Sequence, residues 1–338
     1  MDQSFSDNGK DDLLKGVKAR IWAVAGGKGG TGKSVMSANL GIALSSAGQK
    51  VVLIDGDLGG ANLHTVLNIR HPQVNLNDFL TKDKQNLKEV LLETPHKKLK
   101  LISGGSELVG IANLQYGKKT KLLKHILHLP ADYIIVDLGA GQTYNTLDFF
   151  NLSNEGILVC NPEPNAKLDA YSFLKSVVYR RILRSFKVKS PEHSLIKNIL
   201  FDERNKVFQL PKLPMIVGQS FPEASSTIQS ILKNFKPRLI MNKVRRRSQI
   251  DEGLQLVTLS REYLGVKLTY LGHIENDQKV IDASEKMMPF LLMYPRCKAS
   301  QNLYQILDEL NFASNNGRPF KHYYQFKKEM KTQSKVWK

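Results

Sequence analysis

The chain has 338 residues, of which 41% are hydrophobic, so it is long and apolar enough to bury a substantial core. Two cysteines far apart in sequence, Cys160 and Cys297, exclude a disulfide framework and a paired-cysteine metal site within one chain, and they favour a cytoplasmic location. The formal net charge of +18 favours contact with a polyanion, either nucleic acid or an anionic membrane surface.

The first residues of the chain are polar and partly acidic, so we expect no secretory signal peptide. No apolar run approaches the length that spans a membrane. Residues 1–19 are therefore predicted to form a flexible or partly helical leader.

A strand, a glycine-rich loop and a helix follow this leader. Residues 21–25 form a short apolar run typical of a buried strand, and residues 33–47 have a helical pattern that ends at Gly48. Between them, residues 27–34 fit G-x-x-x-x-G-K-[ST], a phosphate-binding pattern. Glycines let backbone N–H groups approach phosphate oxygens, and a helix N-terminus adds partial positive charge. In this arrangement Lys33 would contact the β- and γ-phosphates and Ser34 would bind Mg²⁺.

The rest of the chain alternates between apolar strands and helical patterns. Predicted strands cover residues 50–57, 98–103, 132–137, 156–161, 237–242 and 267–272, and predicted helices cover 116–129, 165–186, 223–234, 248–264, 277–287 and 298–311. Residues 187–222 contain four prolines, and we interpret them as an insertion packed on the core. The alternation predicts an α/β fold with a mostly parallel sheet of about seven to eight strands and helices on both faces.

Polar side chains follow several predicted strands. Asp55, Asp57, Asp137, Asn161 and Asn242 all come at or just after a strand end. Ligands of parallel sheets bind at the carboxyl ends of the strands, so these residues and the glycine loop predict one site. A carboxylate at the end of a buried strand is costly unless it is partnered, and a metal-bound water would offset that cost. The alternative for the Asp-x-Asp and Asn-Pro sequences is a role in turns.

A second lysine, Lys28, lies five positions before Lys33 in the loop. The form Lys28-Gly-Gly-Thr-Gly-Lys-Ser34 resembles the deviant Walker A motif of the MinD/ParA family of ATPases. The resemblance implies a P-loop NTPase domain over residues 20–312, with ATP and Mg²⁺ as cofactors and slow, partner-stimulated hydrolysis. It also implies an ATP-dependent homodimer, in which Lys28 would contact the phosphates bound by the other subunit.

The same resemblance implies roles for individual residues. By similarity to the family's two switch segments, Asp57 would orient the attacking water, and Asp55 and Asp137 would lie near Mg²⁺. Asn62 fills the asparagine position of the first switch, and Gly139 would offer its N–H to the γ-phosphate. The implied catalytic residues are Lys28, Lys33 and Asp57; the implied metal residues are Ser34, Asp55 and Asp137; and the implied ATP-binding residues are Gly27, Lys28, Gly29, Gly30, Thr31, Gly32, Lys33, Ser34, Gly139, Asn161 and Asn242.

Adenine recognition is assigned from the same likeness. Asn242 and Asn161 resemble family segments near the base, and an amide offers both a donor and an acceptor to the adenine edge. Residues 271–277 resemble a further base-binding loop, in which Glu275 replaces the family's proline.

Residues 57–63 and 137–141 look most like the FlhG/FleN (YlxH) group, MinD-like ATPases that set the number and placement of bacterial flagella. This likeness implies flagellar assembly proteins or a GTPase as partners, and a location on the inner face of the cell membrane or at a pole. Asp2-Gln3 matches the start of the group's GTPase-contacting segment, whereas Ser4 replaces its alanine.

Two other functions remain open at this point. A ParA-like partition ATPase would bind nonspecific DNA, with Arg245–Arg247 and a second group on the 165–186 helix as candidate basic patches. That second group comprises Arg180, Arg181, Arg184 and the adjacent Lys187. An ATP-dependent assembly or scaffold protein with little turnover is the other alternative.

The predicted tail, residues 313–338, is basic and aromatic. From residue 318 onward, one arginine and six lysines stand against Glu329 alone. We expect residues 318–338 to bind anionic membrane as an imperfect amphipathic helix. The alternatives are a disordered basic tail and a tail docked on the protein's own core.

Overall fold

The computed structural model describes residues 19–57, 60–81, 83–105, 116–202 and 208–310. The predictions for the leader, apart from Ala19, and for the C-terminal tail therefore concern residues outside the described part. Among the described residues, no helix has both the length and the apolar character needed to cross a bilayer.

In the described part of the chain, eight strands form one sheet. They are β1 (Arg20–Ala25), β2 (Val51–Gly56), β3 (Leu92–Glu93), β4 (Leu99–Ile102), β5 (Tyr133–Leu138), β6 (Ile157–Cys160), β7 (Arg238–Val244) and β8 (Thr269–Glu275). The strand order is β3-β4-β2-β5-β1-β6-β7-β8, and all neighbours are parallel except β3, which runs antiparallel to β4 at the edge. The predicted fold class is confirmed. The sequence missed β3 because two residues are too few to show a periodic pattern.

Helices connect the strands. They are α1 (Lys33–Ser46), α2 (Leu63–Val66), α3 (Leu76–Leu80), α4 (Tyr116–Leu127), α5 (Tyr144–Phe150), α6 (Pro164–Arg184), α7 (Pro191–Leu200), α8 (Leu213–Gly218), α9 (Pro222–Asn234), α10 (Ser248–Leu264), α11 (Gln278–Glu285), α12 (Phe290–Met293) and α13 (Lys298–Glu309), with 3₁₀ turns at Leu87–Val90 and Leu210–Lys212. The long helices match the predicted ones to within a few residues. The short helices α2, α3, α5, α8 and α12 were not predicted, because one or two turns carry little periodic signal. Helix α7 was also missed, since residues 187–222 were interpreted only as an insertion.

The helices cover both faces of the sheet, as predicted. Alternate residues of β1 enter opposite cores: Ile21 and Ala23 face one cluster, and Trp22 and Val24 face the other. The first cluster includes side chains of α4, α5, α6, α9 and α10, and the second includes those of α1, α12 and α13. Burial on both faces explains why the central strands read as continuous apolar runs.

Within residues 187–222, the described part contains α7, a 3₁₀ turn and α8. Their buried side chains Ile196, Leu210, Leu213 and Val217 belong to the first hydrophobic cluster. Ser190 caps α7 by accepting a hydrogen bond from the backbone N–H of His193. The segment therefore shares the core of the sheet, while the predicted domain boundaries stay a prediction.

The topology places the glycine loop at the carboxyl end of a central strand of the sheet. β1 lies between β5 and β6, so the loop that follows it is flanked by the ends of both strands. Asp55 on β2 pairs in register with Asp137 on the adjacent β5. The carboxyl ends of these parallel strands thus bring acidic side chains beside the loop.

Candidate functional site

The glycine loop follows a path that side chains would obstruct. Gly30 and Gly32 have φ angles of +75° and +91°, in the left-handed region that favours glycine. A Cβ at Gly32 would lie 2.3 Å from Nδ2 of Asn242, and one at Gly27 would lie 2.3 Å from the backbone of Asp169. The loop pattern therefore reflects close packing as well as conformational freedom.

Two consecutive residues of β7 contact the loop backbone. Asn242 Nδ2 donates to the carbonyl oxygen of Thr31 at 2.7 Å, and this contact is buried. Lys243 Nζ donates to the carbonyl oxygen of Gly30 at 2.9 Å on the exposed side. The predicted base contact of Asn242 stays a prediction, since the hydrogen bond seen here serves the loop.

At the start of α1, Lys33 is 8% exposed and lies near Asp137, which is 1% exposed. Ser37 Oγ donates to Oδ1 of Asp137 at 2.9 Å, and the hydroxyl of Ser34 also hydrogen-bonds this carboxylate. Burial raises the pKa of Asp137 to about 6, although both hydroxyls and the Lys33 charge oppose the rise. Ser37 was not identified from the sequence, because serine inside a helix carries no motif.

Asp55 holds the segment that follows β2. Its carboxylate oxygens accept the backbone N–H groups of Leu63 at 2.9 Å and Asp57 at 3.2 Å. Burial first, and the neighbouring Asp137 second, raise the pKa of Asp55 to about 7. Since both oxygens accept backbone N–H groups, Asp55 fixes the segment that carries Asp57, and its contact with a metal stays a prediction.

The donor set fits Mg²⁺ bound together with a phosphate ligand. Mg²⁺ in phosphate sites uses one or two carboxylates, waters and phosphate oxygens. The Ser34 hydroxyl and the adjacent Asp137 carboxylate supply such a partial set. Within the described part of the chain, no group of three or more His, Cys, Asp and Glu residues forms a complete metal site. A metal here would therefore complete its coordination with phosphate and water oxygens.

Asp57 packs directly against the loop after β5. A Cβ added at Gly139 would lie 2.8 Å from Asp57 Oδ1 and 3.0 Å from its Cγ. The two segments that resemble the family's switches therefore meet at Asp57 and Gly139.

A pocket of about 450 Å³ opens beside the loop. Its lining residues are Gly29, Gly30, Gly32, Lys33, Ser34, Val35, Asp57, Asn62, Thr65, Val66, Ala140, Ser284 and Met287. Of these, Val35, Thr65, Val66, Ser284 and Met287 were missed because none of them belongs to a motif. Ala140 lies within the 137–141 motif, but no role was assigned to it. The pocket brings the loop, α1 and both switch-like segments into one concave site.

Six of the predicted ATP-binding residues do not line this pocket: Gly27, Lys28, Thr31, Gly139, Asn161 and Asn242. Lys28 is partly exposed on the loop. Asn161 is 5% exposed, and its buried Oδ1 accepts no hydrogen bond among the described residues. Their contacts with nucleotide stay predictions.

The basic patch suggested on α6 is wrong for Arg181. This side chain is 8% exposed and donates to Asn151 and Asn154. It also donates to two backbone carbonyls, so it braces the turn that leads to β6.

The neighbouring arginines of α6 serve a buried carboxylate. Arg180 and Arg184 form ion pairs with Asp148, which also pairs with Lys119. Burial opposes the ionised form, but these cations hold the pKa of Asp148 below its usual range. The cluster ties α4, α5 and α6 together. In contrast, Arg245–Arg247 are exposed.

Comparison with known proteins identifies curated relatives of this chain. It is 33% identical over 158 residues to the antiactivator FleN of Pseudomonas aeruginosa, covering 46% of this chain and 55% of FleN. It is 35% identical over 178 residues to the flagellum site-determining protein YlxH of Helicobacter pylori, covering 51% of this chain and 56% of YlxH. An uncharacterized ATP-binding protein of Methanocaldococcus jannaschii is 36% identical over 152 residues, covering 45% of this chain and 56% of that protein. The chain thus spans about half the length of these relatives.

Solved structures share the fold. The septum site-determining protein MinD of Pyrococcus horikoshii, complexed with Mg-ADP, matches with a TM-score of 0.61 at 20% identity, covering 89% of this chain and 99% of that one. A ParA family ATPase of Chlorobium tepidum matches with a TM-score of 0.56 at 18% identity, covering 86% of this chain and 98% of that one. The family model described as "CobQ/CobB/MinD/ParA nucleotide binding domain" matches residues 22–290. The chain therefore belongs to the CobQ/CobB/MinD/ParA family of nucleotide-binding domains.

Proposed function

We propose that this protein is a MinD/ParA-type switch ATPase, which binds and hydrolyses ATP with Mg²⁺ and dimerises in its ATP-bound state. We further propose that it controls the number or placement of a cellular structure, the bacterial flagellum. The observation that best supports this proposal is the pocket that joins the glycine loop, Lys33, Ser34 and Asp57. The FleN and YlxH relatives support the flagellar role.

In the proposed site, Lys33 and the loop N–H groups bind the phosphates. Lys33 is largely buried, so its charge is weakly screened by solvent and acts strongly on a nearby phosphate. Mg²⁺, held by Ser34 and near Asp137, would supply further neutralisation of the phosphate charge. Ser37 keeps the Asp137 carboxylate oriented toward this position.

Asp57 is the proposed water-positioning residue. Phosphoryl transfer depends mainly on placement and charge stabilisation, so a carboxylate that holds the attacking water acts in the transition state. The backbone of Asp57 is anchored by Asp55, and its carboxylate rests on Gly139. Both contacts restrict where the carboxylate can lie.

Lys28 is the proposed residue for contact between subunits. It lies on the partly exposed part of the loop and does not line the pocket of its own chain. A second copy facing this loop would present its bound phosphates to Lys28. ATP would then stabilise the dimer through contacts that neither monomer makes alone.

Substitutions separate binding from turnover. Lys33→Ala should abolish binding of a fluorescent ATP analogue, because the phosphates lose their main side-chain cation. Asp57→Ala should bind the analogue but release phosphate from ATP at only a small residual rate, because water placement belongs to the transition state. Wild-type turnover by Asp57→Ala would refute this assignment. Altered flagellar counts in electron micrographs of cells lacking the gene would test the cellular role, and unchanged counts would contradict it.

A further inference from the structure

Lys243 combines an unfavourable backbone conformation with a contact to the glycine loop. Its φ angle is +58°, in the left-handed region that side-chain-bearing residues seldom adopt. Its ammonium group donates to the Gly30 carbonyl at 2.9 Å, and the preceding residue, Asn242, donates to the Thr31 carbonyl at 2.7 Å. Two adjacent side chains therefore hold two adjacent carbonyl groups of the loop.

Holding a carbonyl also orients an N–H group. In a planar trans peptide, the carbonyl of one residue and the N–H of the next point in opposite directions. Because the Gly30 and Thr31 carbonyls point toward β7, the N–H groups of Thr31 and Gly32 point away from it. Gly30 and Gly32 themselves line the pocket.

The exposed part of the loop has few other supports. Side chains added at Gly29 and Gly30 would meet no atom within 4 Å. Asn242, by contrast, is buried and packs tightly against Gly32. Asn242 thus holds the buried part of the loop, and Lys243 adds a hydrogen bond to the exposed part.

We propose that Lys243 is a positioning residue for phosphate binding, which preorganises the loop N–H groups by holding the Gly30 carbonyl. Its strained backbone is retained because it directs the ammonium group at the loop. This inference rests on the proposed function, since it requires that the pocket binds a nucleotide through its phosphates.

The chain contains a matched control. Lys98 also has a left-handed φ angle, +65°, and its exposed Nζ donates to the Gly48 carbonyl at 2.8 Å. Lys98 precedes β4 and so lies at the amino end of its strand, whereas the pocket lies at the carboxyl ends of the strands. Lys98→Gly and Lys243→Gly both remove the side chain and relieve the same kind of backbone strain. Only Lys243→Gly removes a loop contact.

The experiment measures binding of a fluorescent ADP analogue to the full chain, and its competition by inorganic tripolyphosphate. Lys243→Gly should weaken both ligands about threefold to tenfold, the range for losing one exposed hydrogen bond, without lowering the melting temperature. Lys243→Arg should recover most of the affinity, because a guanidinium can donate to the same carbonyl. Lys98→Gly should bind both ligands like wild type.

Three results would overturn the proposal. Wild-type affinity in Lys243→Gly would show that the contact does not position the loop. A loss for the ADP analogue alone would show that Lys243 acts on the nucleoside. An equal loss in Lys98→Gly would show a general effect of stability. If the wild-type protein bound neither ligand, the proposed function itself would fail, and this inference with it.

Discussion

Gly139→Ala tests how the site places Asp57. The added Cβ would lie 2.8 Å from Asp57 Oδ1, whereas ordinary contacts begin at 3.4 Å. The carboxylate must therefore retreat by the difference, 0.6 Å, or the loop must move by as much. A misplacement of about 1 Å can cost about 100-fold in rate, so we expect kcat for ATP to fall about tenfold. That loss equals about 1.4 kcal/mol of transition-state stabilisation.

Steady-state phosphate release measures kcat, and a fluorescent nucleotide measures binding. Affinity for a fluorescent ADP analogue should change little, because ADP lacks the γ-phosphate to which Gly139 would offer its N–H. Gly117→Ala on α4 is the matched control, since a Cβ there would meet no atom within 4 Å. Its activity should equal that of wild type.

A double-mutant cycle makes the test specific. In an Asp57→Ala background the clashing carboxylate is absent, so adding Gly139→Ala should leave the residual rate unchanged. Full activity in the single Gly139→Ala variant would refute the reasoning. So would an equal loss in both backgrounds, because it would show that Gly139 acts without Asp57.

Two further predictions concern stability and membrane binding. Asp148→Asn should lower the free energy of unfolding in urea by about 3–5 kcal/mol, because a neutral amide leaves the buried Lys119 and the partly buried Arg180 uncompensated. The pKa of Asp148 is depressed by folding, so the wild-type advantage should hold above pH of about 4 and shrink as the pH falls through the lower folded-state value; an advantage that persists in acid would contradict this. A variant ending at Asn316 should sediment less than the full chain with anionic phospholipid vesicles and ATP, and equal sedimentation would refute membrane binding by the tail.

The sequence predicted the sheet and the phosphate loop because both depend on local patterns. Strands buried on both faces appear as continuous apolar runs, and the loop glycines recur at fixed spacing. The contacts that complete the site join residues distant in sequence. Ser37 bonds Asp137 and Lys243 bonds Gly30 only because the fold places α1 beside β5 and β7 beside the loop. No local pattern encodes such pairs.

The basic residues of α6 show a case in which a local pattern predicted the wrong binding partner. Arg180, Arg181 and Arg184 form a cationic run in sequence, which favours contact with phosphate. In the structure, Asp148 and the asparagine side chains of the neighbouring turn bind them. A run of basic residues can be read from the sequence of a helix. The groups that bind those residues depend on which elements pack against the helix.

The central claim is that ATP joins two copies of this chain through Lys28. Sedimentation velocity of Asp57→Ala with ATP and Mg²⁺ tests it most directly, because this variant should retain ATP and hydrolyse it only slowly. We expect a dimer with ATP, a monomer without nucleotide, and a monomer with ATP when Lys28→Ala is added. A persistent monomer, with ATP shown to be bound, would contradict the claim, and so would a dimer that is unaffected by Lys28→Ala.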